Sequence, residues 1–233
     1  TRLTVDRRRY GLDRFRRFDL RLIRQVLNIS GFTMLQYFIS MSTYFIFFIA
    51  VERLGQRDLA VANIARSLYI ALFIPVNALS TATNTMVSNL LGAGNASEVI
   101  PLIRRLTSIS VSITAVFAAL LLLFPRFFLS VYTNDAPLIA SAVPSVVVIA
   151  LAAVCSAASC IVFSAISGTG NTRPAFLLEM LALVAYTLYI YIAVIRLRLP
   201  VHLSFISDVV YYVAIMFGGI LYFRLAAWHQ KTV

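Results

Sequence analysis

Six stretches of the chain run for twenty or more residues with almost no charge: roughly 26–51, 60–91, 101–124, 136–167, 174–195 and 201–223. Each reaches the ~20 residues that an α-helix needs to cross ~30 Å of hydrocarbon. In lipid, only helices and closed barrels satisfy their own backbone, and unbroken apolar runs lack the alternation of a barrel strand. Hydrophobic residues make up 61% of the 233 and charged residues 12%, where a soluble domain carries about a quarter charged. A soluble helical bundle of this length could not hide so much apolar surface. The chain therefore reads as all-α, an integral membrane six-helix bundle. Residues 1–25 read as a basic cytoplasmic or interfacial linker, 26–225 as the six-helix lobe, and 226–233 as a short cytoplasmic tail.

The chain opens on Thr1, with no signal-peptide pattern ahead of the first span, so a fragment of a longer protein is expected. Cys155 and Cys160 stand five apart in one span, point in different directions and cannot bridge. They read as small packing residues.

Charge sets the orientation. Nine arginines (2, 7, 8, 9, 14, 16, 17, 21 and 24) precede the first span. With the N-terminus inside, these join Arg104, Arg105, Arg173, Arg224 and Lys231, fourteen in all. The outer segments hold five: Arg53, Arg57, Arg126, Arg196 and Arg198. That bias places both ends in the cytoplasm of a multi-pass protein of the cell (inner or plasma) membrane. The leader RRRYGLDRFRRFDLRLIRQ interleaves Phe15, Phe18, Leu20 and Leu22 with arginine and abuts a span. It suits a helix lying on the anionic inner leaflet better than a nucleic-acid contact.

NLLGAGNASE, residues 89–98, joins spans 2 and 3 on the cytoplasmic side. Gly92 or Gly94 can end a helix in the left-handed conformation. Asn95 can cap the next helix, with Glu98 three residues on as the capping-box carboxylate. A phosphate loop would need a third glycine at Ser97, a preceding strand, or a following lysine, and has none of them. SGTGNTRPA, residues 167–175, repeats the grammar between spans 4 and 5. Gly168, Gly170 and Asn171 stand for Gly92, Gly94 and Asn95, with Pro174 in the first turn of the new helix.

SNLLGAGNASEVIPLIRR resembles the helix-loop-helix signature of the multidrug and toxic compound extrusion (MATE) transporters, whose second helix in each half ends in a Gly-Ala-Gly turn. FSAISGTGNTRPAF is similar to a later motif of that family, with Asn171 where an aspartate is usual. LAVANIARSLYIALFIPVNALSTATNTMVSNLLGAG resembles the family's second helix along its length, including Asn63 and Pro75. The likeness covers about residues 22–225. It implies the C-terminal half of a twelve-helix, two-lobed antiporter, with the N-terminal six-helix lobe as its missing partner and the basic leader as the inter-lobe linker. It also implies alternating access, with proton or sodium entry driving drug export. Some members carry a cation-binding glutamate in the first helix of this half and an aspartate in the fourth. Here those regions align near Ser40–Met41 and Ser156, without a carboxylate.

A transport path needs polar groups on one side of helices otherwise sealed against lipid. In span 2, Arg66, Phe73, Asn77, Thr81, Asn84 and Ser88 recur at intervals of seven, four, four, three and four, which puts them on one face. Span 1 carries Thr33, Gln36, Ser40 and Tyr44. These stripes read as cleft lining, while Ser156, Ser159 and Ser164 of span 4 read as helix-packing residues.

Three charges fall inside spans: Arg66, Glu179 and Asp208. Arg66 lies eight residues past Asp58, and Asp208 eight past Pro200. At 1.5 Å per residue both sit about 12 Å from the outer end, at one depth, and can pair. Glu179, five residues past Pro174, is expected to reach back to boundary water, Arg173 or the leader. It and Asp208 are also the candidate proton carriers. Pro75 and Pro144 free the carbonyls of Ala71 and Ala140 and are candidate hinges.

The expected activity is secondary antiport of amphipathic organic cations, with H+ or Na+ as coupling ion and no cofactor. A flippase for lipid-linked saccharides would need a more basic cleft than one intramembrane arginine offers. A membrane enzyme would need clustered catalytic groups, and His202 and His229 lie far apart. A non-transporting assembly subunit is the third alternative.

Overall fold

The structure, a computed structural model, describes residues 20–225. The leader and the tail, with the interfacial helix and cytoplasmic tail read there, lie outside the described residues, as does the side chain of Thr33. The described chain is helix throughout: α1 Leu20–Glu52, α2 Gln56–Gly92, a 3-10 turn Ala96–Glu98, α3 Val99–Leu123, a short α4 Pro125–Ser130, and α5 Ala136–Gly168. Then come α6 Thr172–Ile190, prolonged by a π-helical turn Tyr191–Arg196, a short α7 Val201–Ser204, and α8 Ile206–Leu225. Six of these segments are long and apolar enough to cross a membrane. The last span is thus broken at Phe205, and α1 starts six residues before the expected boundary.

α5 is the axle of the bundle. α2, α3 and α8 lie along it, α6 packs on α8, and α1 meets the bundle chiefly through α6. Alanine makes this possible. Ala142, Ala150, Ala152, Ala153, Ala157 and Ala165 are buried on α5, and such small side chains let membrane helices approach closely. The main core joins Phe47, Val61, Leu72, Ile149, Tyr186, Ile190 and Phe205. A smaller one joins Val87, Val99, Ile103, Val162 and Ala165 nearer the two glycine turns. Ile74, Phe117, Leu123, Leu181, Val184 and Phe217 form part of an exposed belt. A patch so large is a liability in water and an ordinary lipid contact in a bilayer. α2 and α5 stay helical through Pro75 and Pro144.

Of the two glycines in each turn, the second takes the left-handed conformation. Gly94 and Gly170 adopt φ of +78° and +74°, while Gly92 and Gly168 remain helical. Around Gly94, Asn95 N–H reaches Leu90 O at 2.9 Å and Gly94 N–H reaches Leu91 O at 3.0 Å, the two bonds of a Schellman stop. The expected capping box is absent: Asn95 makes no side-chain cap. Its backbone carbonyl takes the Glu98 N–H at 3.1 Å instead, closing the 3-10 turn and using the donor that a capping side chain would have claimed. Asn171 likewise makes no cap; its amide donates to Tyr222 Oη at 3.3 Å.

Gly168 serves packing. A Cβ there would stand 2.7 Å from the Asn84 carbonyl oxygen and 3.1 Å from Val87 Cβ, and Ser88 Oγ donates to the Gly168 carbonyl at 2.9 Å. Since the first clash is with backbone, Gly168→Ala is expected to lose about 1–3 kcal/mol. The check is a melting curve of the purified chain in lipid nanodiscs. A wild-type transition would remove the close-approach argument.

Candidate functional site: a polar cavity in the helical bundle

Between α1, α2 and α5, toward the end of the bundle that carries the two glycine turns, opens a cavity of about 450 Å3 whose wall residues Tyr37, Asn77, Thr81 and Thr85 are exposed. α2 supplies Phe73, Asn77, Thr81, Asn84 and Thr85, α1 supplies Gln36 and Tyr37, and α5 supplies Cys160, Phe163, Ser164 and Ser167. Thr172 and Ala175 close the end at α6. The 3.6-residue repeat of α2 brings Asn77, Thr81 and Asn84 to one wall. Asn84 Nδ2 donates to the Ser164 carbonyl at 3.4 Å. The Thr81 and Thr85 hydroxyls donate to the carbonyls four residues back, at 3.0 and 3.2 Å. These two hydroxyl donors are thus consumed within the helix, leaving their oxygen lone pairs, beside the asparagine amides, as what they can offer the space. Among the described residues, no Arg, Lys, Asp or Glu lines it.

A carboxylate stands just behind that wall. Glu179, 5% exposed, lies one turn beyond Ala175 and accepts hydrogen bonds from Gln36 Nε2 and Ser40 Oγ of α1. This corrects the expectation that Glu179 reaches back to boundary water or Arg173. Its depth along α6 was counted properly, but depth does not set azimuth. Ala175, Glu179, Ala182, Leu183 and Tyr186 share one buried face of α6, and that face is turned to α1 and α8.

Arg66 and Asp208 meet as their equal depth implies. Arg66 Nη1 lies 3.0 Å from Asp208 Oδ2, with side chains 8% and 10% exposed. The guanidinium sits among four rings, its Cζ 5.3 Å from the centroid of Tyr44, 4.9 Å from Phe47, 5.7 Å from Tyr69 and 5.4 Å from Phe205. Arg66 Nε and Nη2 have no hydrogen-bond partner among the described residues, so ring faces take the place of acceptors. Asp208 stands in the first turn of α8, where the helix dipole favours an anion. The break at Phe205 creates that terminus. The pair does not line the cavity, but one chain of contacts links them. Phe73 on the cavity wall stacks on Tyr69 at 5.7 Å, and Tyr69 Oη lies 2.5 Å from Tyr212 Oη.

The structure therefore sorts the sequence-selected residues into three places. Gln36, Asn77, Thr81 and Asn84 share the cavity. Ser40 and Gln36 hold Glu179, and Tyr44 belongs to the Arg66–Asp208 cage. Ser156 and Ser159 are buried packing residues bonded to Ala153 and Tyr212 carbonyls, whereas Ser164 lines the cavity. The sequence argument missed Phe163, Ser167 and Thr172. Ser164 and Ser167 stand three apart and Thr172 opens the next helix, a polar strip that alanine neighbours had disguised as packing.

The MatE family model matches residues 33–195. Two solved structures share the fold, each at 13% identity over 89% of this chain and 46% of theirs. One is a MOP superfamily transporter from Pyrococcus furiosus, described by a binding pocket of reversed polarity that suggests a different function (TM-score 0.74). The other is an outward-facing multidrug resistance MATE family transporter of the MOP superfamily (TM-score 0.75). This chain spans just under half the length of either. No curated protein sequence matches it significantly. With six membrane-length helices, the two-lobed relatives' fold and a family match over most of its length, the chain belongs to the MatE family of membrane transporters.

Proposed function

We propose that the chain is the C-terminal lobe of a two-lobed secondary antiporter that exports small amphipathic organic cations by alternating access. The observation that carries this is the 450 Å3 cavity lined by Asn77, Thr81, Asn84, Gln36 and Ser164, a polar surface inside helices otherwise built for lipid. Uncharged amides and hydroxyl oxygens beside Phe73, Tyr37 and Phe163 suit a cargo with both an apolar body and a polar head. The complementary N-terminal lobe supplies the other half of the cleft. Glu179 carries the coupling ion, H+ or Na+, and Asp208 is the second candidate carrier. Pro75 and Pro144 are the bending points. Both ends of the chain face the cytoplasm of the cell membrane, as the arginine count argues.

A flippase for lipid-linked saccharides fits less well. Arg66, the one base deep in a span, is paired with Asp208 and does not line the cavity, so no cation among the described residues stands on the cavity wall to meet a pyrophosphate.

The test is cargo uptake into proteoliposomes holding this chain with its complementary lobe, under a proton gradient and a sodium gradient separately. Asn77→Leu and Asn84→Leu are each expected to lower uptake by about fivefold, the worth of one neutral hydrogen bond, without moving the melting curve. Uptake under neither gradient, or leucine variants as active as wild type, would set the reading aside.

A further inference from the structure

A second concavity belongs to none of the machinery above. Between α3 and α8 opens a groove of about 730 Å3, floored by Val162 of α5. Arg104 of α3 and Arg224 of α8, both exposed, border it. From Arg104 to Val111 is seven residues and from Arg224 to Met216 is eight, so the apolar slot descends about 10–12 Å from the charges. Gly219 leaves room for the floor: a Cβ there would sit 2.4 Å from Val162 Cγ1. Thr107 lines the groove one turn below Arg104, its buried Oγ1 without a hydrogen-bond partner among the described residues.

A single arginine at a helix end snorkels to whatever headgroup is near. Two arginines on different helices, framing the mouth of one apolar slot with no acidic residue lining it among the described residues, complement a fixed anion with a hydrocarbon tail. We propose that this groove binds one anionic phospholipid, its phosphodiester held by Arg104 and Arg224 and an acyl chain along Val111, Val162 and Met216. Two positive charges at the entrance disfavour a cationic cargo, so the groove is a lipid seat separate from the transport path. It stands whether or not the transport reading holds.

Native mass spectrometry of the full chain, purified in mild detergent and incubated with equal amounts of phosphatidylglycerol and phosphatidylcholine, tests this. Phosphatidylglycerol is expected to be retained preferentially. Arg104→Gln and Arg224→Gln should each lower its retention by roughly fivefold, and Arg105→Gln, outside the groove, should leave it unchanged. Val111→Trp, which fills the slot, should displace the lipid with both arginines intact. Equal retention of the two lipids by the wild type would overturn the proposal, as would glutamine variants that hold phosphatidylglycerol like wild type. So would a quantitative disulfide-linked dimer of Ser108→Cys with no lipid retained, because a second copy would then occupy this face.

Discussion

Asp208→Ala is expected to destabilise the lobe by about 3–5 kcal/mol, the usual consequence of stranding one member of a buried ion pair. Arg66 cannot escape the loss. Among the described residues its Nη1 has Asp208 Oδ2 as sole anionic contact at 3.0 Å, its Nε and Nη2 are already without acceptors, and four rings enclose it. Removing the whole pair is a different matter. Arg66→Leu with Asp208→Leu leaves no buried charge in this cage and lets Phe47 and Phe205, 5.3 Å apart, close on aliphatic carbon, so most of the stability should return. Arg66→Lys should behave as a damaging change, because a compact ammonium cannot lie flat among ring faces. Unfolding titrations with SDS in mixed micelles give all four values. If the double variant is no more stable than Asp208→Ala, the pair is not what the single substitution broke.

Glu179→Gln is expected to abolish coupling while sparing the fold. The amide has the length of the carboxylate; its one oxygen can accept from Gln36 Nε2 while its NH2 donates to Ser40 Oγ, which in turn donates to the Gln36 carbonyl, so the melting curve should stay within about 1 kcal/mol, the worth of a neutral hydrogen bond. What the amide cannot do is take up a proton or hold a cation. In the assembled transporter, the ratio of cargo affinities with and without the coupling ion should fall toward one, from the roughly 5–150-fold that linked sites show. Cargo exchange at equilibrium, which needs no ion, should persist. Glu179→Asp keeps the charge but draws it back by one methylene, and should be intermediate. Full gradient-driven uptake by Glu179→Gln would move the coupling role elsewhere, with Asp208 first in line.

Most of the fold and part of the site were legible in the residues because both rest on counting. Span limits follow from where charge stops, and Asn77, Thr81 and Asn84 share a wall because four and three approximate a helical turn. Arg66 and Asp208 could be matched because depth is proportional to residue number from a common surface. Counting fails where rotation decides. Glu179 has a definite depth in α6, yet whether it faces water or α1 depends on which side of the helix its neighbours bury, and Ala175, Ala182 and Tyr186 carried that signal unused. It fails again where local hydrogen bonds compete: at Asn95 a 3-10 closure outbid the side-chain cap. Ser164 was assigned to packing for a related reason, since serine among alanines has the same composition on a helix seam as on a cavity wall.

The seating of α1 carries one further implication. Gln36 and Ser40 direct to Glu179 the only side-chain hydrogen bonds that α1 makes to another helix among the described residues, and much of the remaining surface, from Met34 to Ile49, looks outward. Any species that neutralises that carboxylate binds one of the same two oxygens, each with a lone pair beyond the one this helix engages. Loss of the charge would turn both bonds into weaker neutral ones, so the seating of the lobe's outlying rod rests on an acid that stays unneutralised.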